Sequence, residues 1–76
     1  MKTAVIKLKE IKDVYDFVAV VTAYDGDIDI VSGRYRVNAK SIMGIFALDL
    51  TQPLNLEIFG DDPDEALKEL DRFLVK

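Results

Sequence analysis

The chain has no histidine and no cysteine among its 76 residues. Without cysteine there is no disulfide to staple the fold and no thiolate to hold a metal. Without either residue type, the usual nitrogen and sulfur donors of a zinc set are missing. Neither a Ser-His nor a Cys-His nucleophile pair can be assembled. Glycine is scarce, and Gly26, Gly33, Gly44 and Gly60 are too scattered to form a glycine-rich phosphate loop. No apolar run approaches the roughly 20 residues of a membrane-spanning helix. Met1 to Lys7 interleaves charge with apolar side chains, unlike the uninterrupted apolar stretch of a secretory signal. A chain without cysteine suits a reducing compartment. The expectation is a cytoplasmic protein with no metal, no cofactor and no membrane contact.

What is present is an apolar half: 50% of the residues are hydrophobic, enough to drive folding rather than disorder. The length accommodates one domain, 1–76. A chain this short buries only about 60–65% of the surface it exposes when unfolded, so its core has to be efficient. The net charge is −4. An acidic surface repels phosphate backbones, which argues against nucleic acid. It would suit a basic protein partner, although a solvated surface accounts for the same charge.

No internal repeat, linker or low-complexity stretch interrupts the chain. Thr3 to Leu8 alternates, with Ala4, Ile6 and Leu8 on one face, as in a half-buried strand. From Ile11 to Ala23 the period changes. Val14, Val18 and Val21 fall on one helical stripe, with Ile11 and Phe17 beside it. Asp13 and Asp16 near its start suit the helix dipole. The run Val18-Ala19-Val20-Val21 is rich in β-branched residues and pulls toward strand, but the spacing from Val14 favours helix. Asp25-Gly26 signals a turn, with Gly26 free to take positive φ. Ile28 to Ser32 and Tyr35 to Asn38 then read as a hairpin. Ser41 before Ile42-Met43-Gly44-Ile45-Phe46-Ala47-Leu48 is a helix N-cap signature, and this helix should end near Asp49 or Leu50, ahead of Pro53. Pro53 to Phe59 alternates again. In the last helix Asp62 is the cap, Pro63 the first helical position and Glu65 the capping-box partner. Ala66, Leu67, Leu70, Phe73 and Leu74 form its buried stripe, and Asp64 is spaced to pair with Lys68.

The predicted fold class is α+β, a four-stranded antiparallel sheet with three helices on one face, in the order β-α-β-β-α-β-α. That order, with the segment Gly33-Arg34-Tyr35-Arg36-Val37-Asn38-Ala39-Lys40-Ser41-Ile42-Met43-Gly44, resembles the phosphocarrier HPr family, an open-faced β-sandwich. Family members carry a strand followed by Lys-Ser-Ile-Met/Leu-Gly at the start of the short second helix. Asp61 to Leu67 is similar to the family's acidic lead-in to its last helix. The resemblance implies a bacterial protein of the phosphotransferase system. It also implies that Ser41 is a regulatory site phosphorylated by an HPr kinase, with Ile42, Met43, Phe46 and Ala47 as the docking surface for a protein partner. A phosphoryl group adds about −1.5 to −2 charges, which the free amides at a helix start stabilise. The plainer reading of Ser41 is a helix cap alone, and the two are compatible.

The sequence departs from the family where the resemblance matters most. Phosphocarriers place Gly-Leu/Ile-His-x-Arg-Pro between the first strand and first helix, and the histidine carries the phosphoryl group. Here the stretch is Lys7-Leu8-Lys9-Glu10-Ile11-Lys12-Asp13, which puts Glu10 near the histidine position and Lys12 near the arginine. Glutamate has no nitrogen to form a phosphoramidate, so Glu10 and Lys12 read as a degenerate active-site loop. Either the carboxylate imitates the charge of the phosphorylated state or the loop is simply solvated. An EF-hand reading of Asp25-Gly26-Asp27 fails, because glycine and glutamate are required where Ile30 and Arg36 stand. With no visible set of acid, base and nucleophile, the chain is expected not to be an enzyme. The expectation is an HPr-like regulatory protein that binds other proteins. Its partners would be an HPr kinase, a transcriptional regulator of carbon catabolite repression and other phosphotransferase-system proteins. The alternative is a divergent HPr-fold scaffold domain with no phosphotransferase-system role. Tyr24, Tyr35 and Phe46 are candidates for a dimer patch.

Overall fold

The computed structural model describes residues 1–75. Strand β1 (Lys2–Ile6) leads to helix α1 (Ile11–Ala23), and the hairpin β2 (Ile28–Ser32) and β3 (Tyr35–Asn38) follows. Next come the short helix α2 (Ile42–Phe46), strand β4 (Leu54–Ile58) and helix α3 (Pro63–Glu69), with a final 3-10 turn at Asp71–Phe73. The strands are antiparallel neighbours in the order β1-β4-β2-β3. This is the predicted α+β fold and element order.

Register explains the two faces of the sheet. Ala4, Leu56 and Ile30 stand side by side across three strands, with Ile6 and Leu54 next to them at one end and Ile58 and Ile28 at the other. All of these except the half-buried Ala4 are fully or almost fully buried, and the helices cover them. The alternate positions Thr3, Glu57, Asp29 and Asn38 lie on the open face. There Arg36 bridges Asp29 (3.0 Å) and Glu57 (2.6 Å) across the strands. Both carboxylates hold the guanidinium charged, Glu57 most strongly.

Helix α1 keeps its predicted bounds through the β-branched run. The propensity penalty of valine is a few tenths of a kcal/mol per residue, whereas burying a phenylalanine or valine contributes about 1.5–3 kcal/mol. Val14, Phe17 and Val21 are fully buried, so packing wins. Phe17 meets Phe73 edge-to-face at 5.7 Å, which joins α1 to the C-terminal turn. Ile11 differs from the expectation: it lies 66% exposed, outside the core.

The turns also depart in instructive ways. Gly33 takes φ 62° as the first of two residues in the β2–β3 loop, the geometry of a type II′ hairpin. Gly26 does not adopt positive φ. Its role is close approach, since a Cβ there would stand 2.7 Å from the Phe59 carbonyl oxygen and from the Tyr24 ring. The Tyr24 hydroxyl donates to that same carbonyl at 2.6 Å. Helix α2 ends at Phe46, short of the predicted Asp49 or Leu50. Ala47 and Leu48 turn back onto Gly44 and Ile45, and Asp49 then takes the Thr51 amide (3.0 Å) and hydroxyl (2.5 Å). This side-chain turn competes with further helix. In α3, Asp62 caps through the Glu65 amide at 3.2 Å. Asp64 pairs with Lys2 at 3.1 Å rather than with Lys68, so it ties α3 to β1. The C-terminal residues cover the outer edge of β1: Leu74 bridges Ile6, and the Val75 amide donates to Val5.

Candidate functional site

The loop from Lys7 to Glu10 is fixed by one carboxylate. Asp13, at the third position of α1, accepts the Lys9 amide at 3.0 Å and the Glu10 amide at 3.1 Å. Its other oxygen meets Arg72 at 3.1 Å, and Arg72 also reaches Asp16 at 3.1 Å. The guanidinium stacks 4.4 Å from the centre of the Phe73 ring. The Lys9 amide is the main cause holding Asp13 below the usual carboxylate value of 3.8. The Glu10 amide, Arg72 and Lys12 act in the same direction, against partial burial. On the other side of the loop, the Lys7 ammonium donates to the Thr51 carbonyl. Glu10 is exposed at the end of this loop as the N-cap of α1, whereas Lys12, expected on the same loop, lies exposed in the first turn of α1, and the two form no ion pair with each other.

Ser41 sits in the β3–α2 connection, at the start of α2. It is exposed, and its Oγ accepts the Gly44 amide at 3.3 Å, a long cap bond. Gly44 leaves that oxygen room: a Cβ there would stand 3.2 Å from it and 3.4 Å from Val37. The segment before Ser41 is held from both sides. Asn38 accepts the Lys40 amide at 2.8 Å, and the Lys40 ammonium donates to the Tyr24 carbonyl at 3.2 Å.

The four residues expected to form a docking surface divide. Met43 is 81% exposed and Phe46 42%, and Ala47 is exposed beside them. Ile42 is half-buried and packs on the core. Two residues of α1 extend the exposed patch. Tyr15, 57% exposed, stacks edge-on to Phe46 at 6.2 Å, and Ile11 lies one turn earlier on α1. Sequence periodicity placed Ile11 beside the buried stripe and did not single out Tyr15. Their i, i+4 spacing on a flank of α1 was the available signal. Tyr24 is half-buried over its hydrogen bond to Phe59, and Tyr35 is exposed at the hairpin, in a different element from Phe46. Among the described residues, no group of three or more acidic side chains is placed to hold a metal ion. Among the same residues, no helix is long and apolar enough to cross a membrane.

An open-faced sheet covered by three helices, with a braced loop before α1 and an exposed serine capping α2, defines the class of small α+β phosphocarrier-like domains. The family model for the PTS HPr component phosphorylation site matches residues 13–76. HPr-C-His from Thermoanaerobacter tengcongensis is 33% identical, with a TM-score of 0.82 over 95% of this chain and 89% of that one. The phosphocarrier protein HPr from Bacillus anthracis is 30% identical, with a TM-score of 0.75 over 97% of this chain and 94% of that one. Crh, the Bacillus subtilis catabolite repression protein, shares the fold at 23% identity, with a TM-score of 0.69 over 93% of this chain and 88% of that one. The chain belongs to the HPr family of the phosphotransferase system. The family match begins at Asp13, so Ser41 and the patch residues Tyr15, Met43, Phe46 and Ala47 fall within it. Ile11, Glu10 and Lys12 fall just before it.

Proposed function

We propose that this chain is a regulatory member of its family that binds other proteins and does not relay phosphoryl groups. The chain has no imidazole, and by the resemblance Glu10 falls near the position of the phosphocarriers' histidine. Binding is gated at Ser41. An HPr kinase transfers the γ-phosphoryl group of ATP to the Ser41 Oγ, the hydroxyl proton is lost, and ADP leaves. The added negative charge sits beside the first amides of α2, at the margin of the apolar patch built by Met43, Phe46, Ala47, Tyr15 and Ile11. The partner reads both at once: an apolar contact for affinity and a phosphate for the switch. A transcriptional regulator of carbon metabolism is the partner class that this reading favours. Localisation in the cytoplasm, where kinase and regulator meet the chain, belongs to the same proposal.

The observation that carries this reading is the pairing of an exposed, weakly engaged Ser41 hydroxyl with Met43 two residues later, almost wholly in solvent. A serine held only as a cap needs no apolar surface beside it. The test is intact-mass measurement after incubation with an HPr kinase and ATP, alongside Ser41→Ala. One phosphoryl adduct on the natural chain and none on the variant is the expected result. If the folded chain takes up no phosphoryl group, Ser41 is a cap and the gating is wrong.

A further inference from the structure

A groove of about 480 Å³ runs between the C-terminal half of α1 and the start and body of α3. Its floor is apolar: the half-buried Val20 and Tyr24 and the exposed Ala23 line it together with the buried Ala66 and Leu70. Its rim is acidic. Asp61, Asp62, Glu65 and Glu69 line one bank and Asp25 the end of the other, all of them exposed. Among the described residues, no lysine or arginine lines the groove. These five carboxylates exceed the whole chain's net charge of −4. The described ion pairs are made elsewhere, by Lys2, Arg36 and Arg72. The Lys40 ammonium donates to the Tyr24 carbonyl, and Lys68 of α3 is exposed and does not line the groove.

Stability explains only part of this charge. Asp62 caps α3, and Glu65 lies in its first turn, where the dipole favours an acid. Glu69 is the last residue of α3, and Asp25 follows the C-cap of α1. Both face the negative end of a helix dipole, where a carboxylate is disfavoured. Five like charges around an apolar floor repel one another, and none of them is in an ion pair among the described residues. The Tyr24 phenol registers the surroundings: burial raises its pKa first, and Asp62, Asp61 and Asp25 raise it further.

We infer that this groove docks a basic amphipathic segment of a partner protein, with one or two apolar side chains on Val20, Ala23 and Tyr24 and flanking lysines or arginines on the carboxylate rim. A cleft of this volume holds anchoring side chains rather than a whole helix. Complementary charge would steer the encounter, and the apolar floor would supply the contact that outlasts it. This surface is independent of Ser41 and requires no phosphorylation.

The test is an NMR titration of the ¹⁵N-labelled full chain with a short synthetic peptide carrying lysine and leucine at helical spacing. A second peptide with serine in place of leucine and spermine serve as comparisons. The expected result is amide shifts concentrated in residues 20–25 and 61–70. Affinity should fall at least about tenfold with the serine peptide and with the variant Asp61→Asn/Glu65→Gln/Glu69→Gln. That variant keeps the Asp62 cap, and its urea midpoint should be unchanged or higher. Shifts spread over the acidic surface to Asp49 and Glu57 would overturn the inference. So would equal binding of the leucine peptide, the serine peptide and spermine, or affinity unchanged in a folded triple variant.

Discussion

At its N-terminal end α1 exposes Ile11 and sets Tyr15 against Phe46 of α2, whereas at its C-terminal end the same helix faces α3 across a groove rimmed by five carboxylates. Negative charge is present at both ends but is treated differently. Asp13 and Asp16 sit where the dipole welcomes them, take backbone amides or Arg72, and brace the preceding loop. Asp25 sits where the dipole disfavours it and has no ion pair among the described residues. One end is electrostatically satisfied and leaves apolar surface in water. The other is apolar beneath and unneutralised above. The difference separates two kinds of surface on one small domain, an apolar one next to the exposed Ser41 and an acidic one elsewhere in the chain.

The largest effect should come from breaking the link between the two ends. Phe17 lies mid-helix, fully buried against Phe73. Phe17→Ala should cost about 3–5 kcal/mol, a large share of the stability of a domain this small. Urea denaturation would show the loss, and both surfaces should fail together. A smaller effect sharpens the contrast between glycines. Gly26→Ala, at the C-terminal end, drives a Cβ to 2.7 Å from the Phe59 carbonyl. It should destabilise by about 1–3 kcal/mol. Gly44→Ala, in α2, meets only the movable Ser41 hydroxyl at 3.2 Å and the Val37 side chain at 3.4 Å. The gain in helix propensity, about 1 kcal/mol, should offset that contact. Equal urea midpoints for the two variants would contradict this account of Gly26.

The smallest effect is in pH dependence at the N-terminal end. The pKa of Asp13 is lowered in the fold, so its contribution is present above the unfolded carboxylate value and is lost as pH falls through the folded one. Stability should therefore decline below about pH 4. Asp13→Asn should be less stable at neutral pH, with a shallower acid limb and faster hydrogen exchange at the Lys9 and Glu10 amides. An unchanged acid limb would show that Asp13 does not brace the loop.

Much of this architecture is legible in the residues. The bounds of α1, the hairpin, the Ser41 and Asp62 caps and the order of elements follow from period, turn and cap signals that agree with one another. The missed features are those that depend on distant partners. Ile11, at the first position of α1, is 66% exposed although its spacing set it beside the buried stripe. Asp64 finds Lys2, which is remote in sequence, instead of the neighbour one turn away. Gly26 answers to Phe59 and Tyr24 rather than to its own φ. At the site, the resemblance drew attention to Ser41, Met43 and Phe46. Tyr15 joined the patch only once α1 and α2 were placed side by side.

The rate of phosphorylation by an HPr kinase, followed by intact mass for the natural chain and for Met43→Asp, tests the gated surface most directly. Met43 is 81% exposed, so the substitution should leave folding stability within about 0.5 kcal/mol. The account predicts single phosphorylation at Ser41 in the natural chain, and a rate at least about tenfold lower in the variant because the kinase docks on the patch. Equal rates in the two folded proteins, or no phosphorylation of either, would contradict it.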